Sequence, residues 1–259
     1  MTSALIGHTG FVGANLARQH RFDACFNSKD IEGIAGRSFD LVVVSGMPGT
    51  MWIANRDPDA DRAALDRLAG CLVKAHAGQV AIMSTIAVYP APTEVNEESP
   101  IERGAQTPYG RHRLMLEQTV AEHFPYALAV RLPNLFGRGI KKNVVFDLLH
   151  NNEVHKINAA SVYQYYNLDR LWADVSTALE YRLRVVNFAT EGIAVGEIAR
   201  EAFGFDFTND PGTPPARFNM VSKHAALFDG RNGYLYTRRQ VLDELREFVQ
   251  QERAGKTGP

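Results

Sequence analysis

Short apolar runs alternate with stretches of helical periodicity through the first half of the chain. The periodic stretches, at residues 11–18, about 59–77 and about 108–123, place apolar side chains on one face of a helix. Parallel strands joined by such helices are covered on both faces, so the pattern predicts a Rossmann-like, doubly wound α/β fold. The strands are predicted at residues 4–6, 24–26, 41–45, 79–84 and 126–132.

The second half of the chain is less regular, with a turn-rich passage at residues 209–215. We predict a Rossmann domain over residues 1–137, to which residues 162–190 return, and a small lobe made of residues 138–161 and 191–259. Residues 254–259 are expected to fray. The elements predicted here are helices at 144–150, after Asp169, at 195–203 and at 238 to about 251, an aromatic stretch at 162–166 and a strand at 184–189.

Composition adds that the chain is an ordinary globular protein. It has 259 residues, of which 45% are hydrophobic and 22% charged, and its formal net charge is -1. Nucleic acid is not an expected partner, because binding a phosphate backbone requires clustered cations. The start leads directly into a glycine-rich motif, and no apolar run reaches the roughly 18 residues of a membrane span. We therefore expect a cytoplasmic protein without a membrane partner.

Cysteines and histidines give little indication of a disulfide or a metal. Cys25 and Cys71 have no paired spacing, and we expect both to be buried free thiols. His150 and His155 lie five residues apart, with Glu153 between them, and that spacing does not place both imidazoles on one helical face. No metal site is predicted.

Gly7, Gly10 and Gly13 stand between the first predicted strand and the first predicted helix. A side chain on such a turn would keep a pyrophosphate from the backbone, and the free N–H groups of a helix start favour an anion. The spacing resembles that of the extended short-chain dehydrogenase/reductase family, in its NAD-dependent epimerase/dehydratase branch. Further segments with this likeness follow in order along nearly the whole chain. The resemblance implies an NAD(P) cofactor and a nucleotide-sugar substrate.

The second strand ends in Asn27, Ser28 and Lys29, where relatives that prefer NAD usually carry an acidic residue. Ser28 and Lys29 could hold a 2′-phosphate, or Lys29 could simply be solvated, so NADP is slightly favoured over NAD. The residues expected to contact the cofactor are Gly7, Thr9, Gly10, Phe11, Val12, Gly13, Asn27, Ser28, Lys29, Ser45, Gly46, Ser84, Tyr109, Arg113, Leu132 and Pro133.

Two further segments resemble the catalytic motifs of the family. Residues 84–90 resemble Ser-(Ser/Thr)-x-x-Val-Tyr-Gly, with Pro90 in the place of the glycine, and in that motif the hydroxyl at the position of Thr85 binds the reacting oxygen. Residues 109–117 resemble Tyr-Gly-x-Ser-Lys-x-x-x-Glu, with Arg113 in the place of the lysine, which in the family also holds the nicotinamide ribose. Positions i and i+4 share a helix face, and a fixed cation beside a phenol stabilises the phenolate. We therefore expect Tyr109, Thr85 and Arg113 to be the catalytic residues, with Tyr109 as general acid/base.

Arginine in place of lysine leaves three interpretations open, because its planar fork is bulkier than an ammonium. The chain is a working enzyme with an adapted site, a slow enzyme, or a sensor or scaffold that binds NAD(P) without catalysis. A protein of the last kind would keep the three glycines but would not need Thr85 aligned with Tyr109.

The resemblance also indicates where a substrate would bind. Residues 131–137 resemble Arg-x-x-Asn-x-x-Gly, which makes Asn134 the expected contact to the substrate diphosphate. Asn143 and Arg217 are further candidates. Lys141 and Lys142, next to Asn143, are either diphosphate partners or solvated loop residues.

The implied activity is hydride transfer between NAD(P) and a nucleotide-linked sugar, as a reductase or an epimerase. Dehydratases of the family carry an acidic pair after the threonine, where this chain has Ile86 and Ala87, so dehydration is the least favoured reaction. The short connection between the second and third strands resembles the dTDP-4-dehydrorhamnose reductase group. By the same resemblance we expect a homodimer, formed through the helices near residues 59–77 and 108–123.

Overall fold

The computed structural model describes residues 1–102 and 104–256. The strands are β1 Ser3–Ile6, β2 Ala24–Phe26, β3 Ser38–Val44, β4 His76–Thr85, β5 Thr93–Val95, β6 Ala127–Leu132, β7 Asn134–Phe136, β8 Val162–Tyr163, β9 Tyr165–Asn167, β10 Val185–Asn187, β11 Ile193–Ala194 and β12 Asn219–Met220. The helices are α1 Phe11–Gln19, α2 Met51–Arg56, α3 Pro58–Leu72, α4 Pro108–His123, α5 Val144–His150, α6 Leu171–Glu180, α7 Val195–Ile198 and α8 Arg238–Lys256.

The chain forms two compact units, which we call the first unit and the second unit. The first unit contains Met1–Pro92, Glu97–Leu132 and Asp169–Asn187. The second unit contains Thr93–Asn96, Pro133–Leu168 and the residues from Phe188 onward. The returning segment, Asp169–Asn187, is shorter than the 162–190 expected from the sequence.

A six-stranded parallel sheet forms the centre of the first unit, in the order β10-β6-β4-β3-β1-β2. Every neighbouring pair in it is parallel, which confirms the Rossmann-like, doubly wound α/β fold. From β1 the chain continues to one side through β2 and to the other through β3 and β4. The carboxyl ends of β1 and β3 therefore flank the point where ligands bind in such sheets.

Apolar side chains fill both faces of this sheet. β1 and β6 are buried along their whole length, as expected for central parallel strands. On one face, Leu65 and Leu68 of α3 and Leu116 of α4 belong to one buried cluster with residues of β1, β3 and β4. α1 and α6 contact each other and the strands β1 and β6. Helices packed on both faces hold the strands in place, and so they also position the loops that follow the carboxyl ends of the strands.

The predicted helix at residues 59–77 ends five residues early, at Leu72, and β4 begins at His76. Leu68, Leu72 and Ala75 are all buried at helical spacing, so the periodicity continues past the last helical residue. Cys25 was expected to be buried and is exposed, because β2 is the edge strand of the sheet. Cys71 is buried, as expected.

The second unit contains three two-stranded sheets. β7 pairs with β9 and β5 with β12 in parallel, and β8 pairs with β11 antiparallel. Phe136 on β7 contacts Phe248 on α8, with the ring centres 5.8 Å apart. A π-helical turn, Ala199–Phe203, continues α7.

The last helix is longer than the sequence indicated, since α8 continues to Lys256 rather than fraying from residue 254. The remainder of the tail, residues 257–259, lies outside the described residues. Among the residues that the structure describes, no helix has the length and apolar character needed to cross a membrane.

Candidate active site

The glycine-rich turn after β1 is closed tightly by backbone contacts. A Cβ added to Gly13 would lie 2.1 Å from the carbonyl oxygen of Gly7, so the first turn of α1 can approach β1 only without a side chain there. Gly7 has φ +89°, and a Cβ on it would meet the backbone of Gly46 at 2.5 Å. Both positions require glycine for close approach of the backbone.

Gly10 is different, because it is exposed and faces open space. A Cβ there would meet only the carbonyl oxygen of Gly7, at 3.3 Å. Gly10 is the N-cap of α1, and no side chain caps the helix. The first N–H groups of α1 therefore remain available to an anion. The turn has the open backbone surface and the positive helix end that a pyrophosphate needs.

The carboxyl end of β3 completes this turn. The hydroxyl of Ser45 donates to the carbonyl oxygen of Ile6, at 2.8 Å, and the backbone N–H of Ser45 donates to the same atom at 2.9 Å. These bonds hold β3 against the end of β1. Gly46 follows directly and makes the close approach to Gly7 possible.

The end of β2 forms a small turn with its own hydrogen bonds. The amide oxygen of Asn27 accepts the N–H of Lys29, at 2.8 Å, and the carboxylate of Asp30 accepts the N–H of Asn27, at 2.6 Å. Arg67 donates to the carbonyl oxygen of Ser28. Ser28 and Lys29 are exposed, so their side chains face solvent beside the end of β2.

Thr85 and Tyr109 lie together in the first unit. Thr85 ends β4 and Tyr109 is the second residue of α4, and the Thr85 side chain is near enough to the Tyr109 hydroxyl to lower its pKa. The close fit depends on Gly110, because a Cβ there would lie 1.9 Å from the carbonyl oxygen of Ala87. Asn55 of α2 accepts the N–H of Tyr109 at 3.0 Å. The structure thus brings the side chains of Thr85 and Tyr109 together.

Arg113 lies one helical turn after Tyr109, and its guanidinium carbon is 3.8 Å from the centre of the tyrosine ring. The side chain is almost fully buried, at 1% exposed. Its Nη1 donates to Tyr109 O and Asp61 Oδ2, and its Nη2 to Asp61 Oδ1 and to the carbonyl oxygen of Pro48. The buried Nε has no hydrogen-bond partner in the protein. The terminal donors of Arg113 are therefore occupied by protein acceptors.

Asp61 is the residue that sequence reasoning missed at this site. Its carboxylate receives a bidentate pair from Arg113 and also contacts His112 Nδ1 at 2.8 Å. The side chain is 2% exposed. The sequence carried a signal for it, because Asp61 lies on the buried face of α3 with Leu65, Leu68 and Leu72, at helical spacing. A buried acid requires a cationic partner.

Two opposing effects set the acidity of Tyr109. Burial raises the pKa of its hydroxyl, the charge of Arg113 and the hydrogen bond with Thr85 lower it, and the charge of Asp61 raises it again. The net result is a pKa above the ordinary value. For Asp61 burial acts in the raising direction, but the hydrogen bonds and charges of Arg113 and His112 outweigh it and lower the pKa. The phenol is thus held protonated beside an ion pair.

A second buried polar network includes Ser84, the residue before Thr85. Glu117 accepts from Ser84 Oγ and pairs with Arg131, whose Nη2 lies 2.7 Å from Glu117 Oε2. Arg131 also donates to the hydroxyl of Tyr89, at 2.8 Å, and Tyr89 bonds to Asn187. The hydroxyl of Ser84 is therefore engaged within the protein.

Leu132, the last residue of β6, pairs in register with Thr85 and is buried. The remaining candidates belong to the second unit. Pro133 is partly buried, and Asn134 on β7 donates its N–H to Gln164 O at 3.2 Å.

Asn143 caps α5. Its side-chain oxygen accepts from Val145 N and Phe146 N, and its Nδ2 donates to Leu135 O, so its polar side-chain atoms are all used locally. Lys141, Lys142 and Arg217 have exposed side chains. Over residues 1–102 and 104–256, no group of three or more His, Cys, Asp or Glu side chains could hold a metal.

Comparison with protein families matches residues 31–186 to the NAD dependent epimerase/dehydratase family. The match includes Thr85, Tyr109 and Arg113 and begins after the glycine-rich turn. The chain belongs to this family. No curated protein sequence matches it.

Solved structures show the same fold at low sequence identity. The UDP-glucose 4-epimerase of Thermotoga maritima, solved with UDP-glucose, is 15% identical, with coverage of 98% of this chain and 99% of that chain and a TM-score of 0.68. A dTDP-4-dehydrorhamnose reductase from Clostridium acetobutylicum is 15% identical, with coverage of 98% of this chain and 100% of that chain and a TM-score of 0.75. A double mutant of the dTDP-glucose 4,6-dehydratase DesIV from Streptomyces venezuelae, with NAD bound, is 16% identical. The match covers 98% of this chain and 97% of that chain, with a TM-score of 0.72.

Proposed function

We propose that this chain is an NAD(P)-dependent enzyme that transfers hydride to or from a sugar linked to a nucleotide. The observation that carries the proposal is the placement of the Thr85 side chain beside the Tyr109 hydroxyl, with Arg113 over the tyrosine ring. A protein that only binds the cofactor has no need of this pair. Family membership and the nucleotide-sugar enzymes of the same fold support the substrate class.

The cofactor site is proposed at the glycine-rich turn, with the pyrophosphate on the uncapped start of α1. Gly10 leaves the backbone open there, and Gly7 and Gly13 allow the turn to close. Ser45 and Gly46 border the same turn. Lys29, exposed at the end of β2, is proposed to favour a 2′-phosphate and hence NADP. The bound nicotinamide would supply or accept the hydride.

Tyr109 is proposed as the general acid/base and Thr85 as the residue that orients the reacting oxygen. The two side chains lie side by side, so a substrate oxygen bound next to both can accept a hydrogen bond from Thr85 and receive the proton of Tyr109. The charge of Arg113 lowers the pKa of Tyr109, and the charge of Asp61 opposes it. Its donors are occupied by Asp61, Pro48 and Tyr109, so a hold on the nicotinamide ribose is left to Nε.

On the substrate side, Asn134 is proposed as the diphosphate contact, with Arg217 as the exposed cation of the same unit. Asn143 is the weaker candidate, because its amide already caps α5. A homodimer through α3 and α4 and a cytoplasmic location complete the proposal. Light scattering after gel filtration tests the dimer directly.

One observation favours a second candidate, a sensor or scaffold that binds NAD(P) without turnover. The terminal donors of Arg113 are used within the protein, whereas the family's lysine at this position grips the nicotinamide ribose. Such a protein would bind cofactor at the glycine-rich turn and leave nucleotide keto-sugars unchanged.

Loss of NADPH or NADH absorbance with a panel of nucleotide-linked keto-sugars separates the two candidates. We expect wild type to consume reduced cofactor with at least one of them and Tyr109→Phe to lose that activity while still binding cofactor in a calorimetric titration. If both proteins bind cofactor and neither consumes it, the sensor function replaces the enzymatic one.

A further inference from the structure

We propose that Asp61 is a positioning residue which neutralises Arg113 beneath the ring of Tyr109, so that Tyr109 acts as a proton donor and the site is built for reduction of a keto group. This inference rests on the proposed function, because it assigns the direction in which that site works. It also assigns a role to a residue outside the family's catalytic motifs.

The geometry of the ion pair carries the first step. Asp61 Oδ1 lies 2.8 Å from Arg113 Nη2, and Asp61 Oδ2 is paired with Nη1, so the carboxylate faces the guanidinium fork with both oxygens. Arg113 and Asp61 are 1% and 2% exposed, so water does not screen this pair. The two opposite charges cancel largely within the pair, before they act on a neighbour.

The second step concerns the place of that pair. The guanidinium carbon lies 3.8 Å from the centre of the Tyr109 ring, so the ring contacts the cation that Asp61 neutralises. The charged groups that act on Tyr109 are Arg113 from α4 and Asp61 from α3, and His112 contacts Asp61. β4 and α2 contribute the uncharged Thr85 and Asn55. Burial raises the pKa of Tyr109, and the charge of Asp61 adds to this by opposing the charge of Arg113, so the phenol keeps its proton.

The third step is chemical. In a reduction, the carbonyl carbon gains a hydride from the reduced nicotinamide dinucleotide while its oxygen takes the proton of Tyr109, and the C=O π bond is replaced by C–H and O–H bonds. The tyrosinate left behind is protonated again from water. Oxidation of a hydroxyl, the first step of epimerisation, requires Tyr109 to begin as tyrosinate. At neutral pH the protonated phenol therefore serves reduction and not the start of epimerisation.

Titration of Tyr109 tests the inference without turnover. The protein, labelled with 13C at the ζ carbon of tyrosine, is titrated by NMR, and Tyr109→Phe identifies the resonance among the nine tyrosines. In wild type we expect Tyr109 to titrate above the value of free tyrosine, which is about 10. Asp61→Asn keeps the shape of the side chain and removes its charge, so the midpoint of Tyr109 falls. Asp61→Glu restores the charge and moves the midpoint back toward wild type.

A matched control is the other buried pair of the same unit. Glu117→Gln removes the carboxylate that pairs with Arg131, and we expect the titration midpoint of Tyr109 to be unchanged in this variant. The double variant Asp61→Asn, Arg113→Gln contains no unpaired buried charge and covers the case in which the single variant does not fold. Its Tyr109 keeps the wild-type midpoint. A clear rise would show that Arg113 acts as an unneutralised cation and would overturn the inference.

Two other results contradict the inference. One is a wild-type Tyr109 that titrates below free tyrosine, and the other is a folded Asp61→Asn protein with an unchanged midpoint. The proposed function fails separately, if cofactor binds and no keto-sugar is reduced although the titrations behave as expected. Where turnover is found, we expect the alkaline fall of kcat for reduction to occur at lower pH in Asp61→Asn than in wild type. If Asp61 had a purely structural role, that fall would occur at the same pH in both proteins.

Discussion

The guanidinium of Arg113 stacks on the ring of Tyr109, with its carbon 3.8 Å from the ring centre. A cation at this distance from an aromatic face is attracted by the ring and also favours ionisation of the phenol. The same guanidinium holds Asp61 with two hydrogen bonds. The site therefore contains a tyrosine beside a closed ion pair, where the family's motif would place it beside a lysine.

Replacing Tyr109 by Phe removes the proposed proton donor and leaves the ring. We expect kcat to fall by about 10²- to 10⁴-fold, the usual contribution of general acid–base catalysis. Steady-state loss of reduced cofactor measures this, and calorimetry shows whether cofactor affinity is retained. A variant with wild-type kcat would remove Tyr109 from the mechanism.

Replacing Arg113 by Met leaves Asp61 buried without its main cationic partner. Breaking one side of a buried pair costs about 3–5 kcal/mol, and we expect urea unfolding to show a loss of this size. The control is the double variant with Asp61→Asn, which removes both charges and should recover most of the lost stability. Equal losses in the single and double variants would show that packing matters more than charge.

The lowered pKa of Asp61 implies acid sensitivity. Its carboxyl binds a proton at a lower pH in the folded state than in the unfolded state. Its stabilisation is therefore present above the unfolded value, near 3.8, and is lost as pH falls through the folded value. Unfolding free energies between pH 6 and pH 2 should depend less on pH in Asp61→Asn than in wild type. Parallel curves for the two proteins would contradict the assignment.

Adding one methyl group at Gly13 tests the cofactor turn. A Cβ there meets the Gly7 carbonyl oxygen at 2.1 Å, so Gly13→Ala must displace the start of α1 and weaken cofactor binding. Gly70 in α3 is the matched control, since nothing lies within 4 Å of its added Cβ. We expect Gly70→Ala to stabilise the protein by roughly 0.5–1 kcal/mol, as is usual for alanine in a helix. Cofactor affinity, measured by calorimetry, should be unchanged in that control.

Lys29→Glu tests the proposed preference for NADP. The side chain is exposed at the end of β2, so the change reverses a charge without removing packing. If Lys29 holds the 2′-phosphate, the affinity for NADPH falls by about tenfold and that for NADH changes little. Equal effects on both cofactors would argue against this role.

The sequence predicted the parallel sheet, and it placed Tyr109 and Arg113 on one face of a helix, because period and spacing along a strand or helix specify such features locally. The pairing of Asp61 with Arg113 joins positions 52 residues apart, on α3 and α4. No local pattern names that partner. The position of Asp61 on an apolar helix face indicated only that its carboxylate would need a buried cationic partner. Likewise, the exposure of Cys25 follows from the strand order, which the apolar run at residues 24–26 does not contain.

Gly110 has a mechanical consequence. With 1.9 Å between its missing Cβ and the carbonyl oxygen of Ala87, helix α4 and the turn after β4 are in direct backbone contact. This contact ties the segment that carries Thr85 to the helix that carries Tyr109. We therefore expect a larger residue at position 110 to push the two hydroxyls apart.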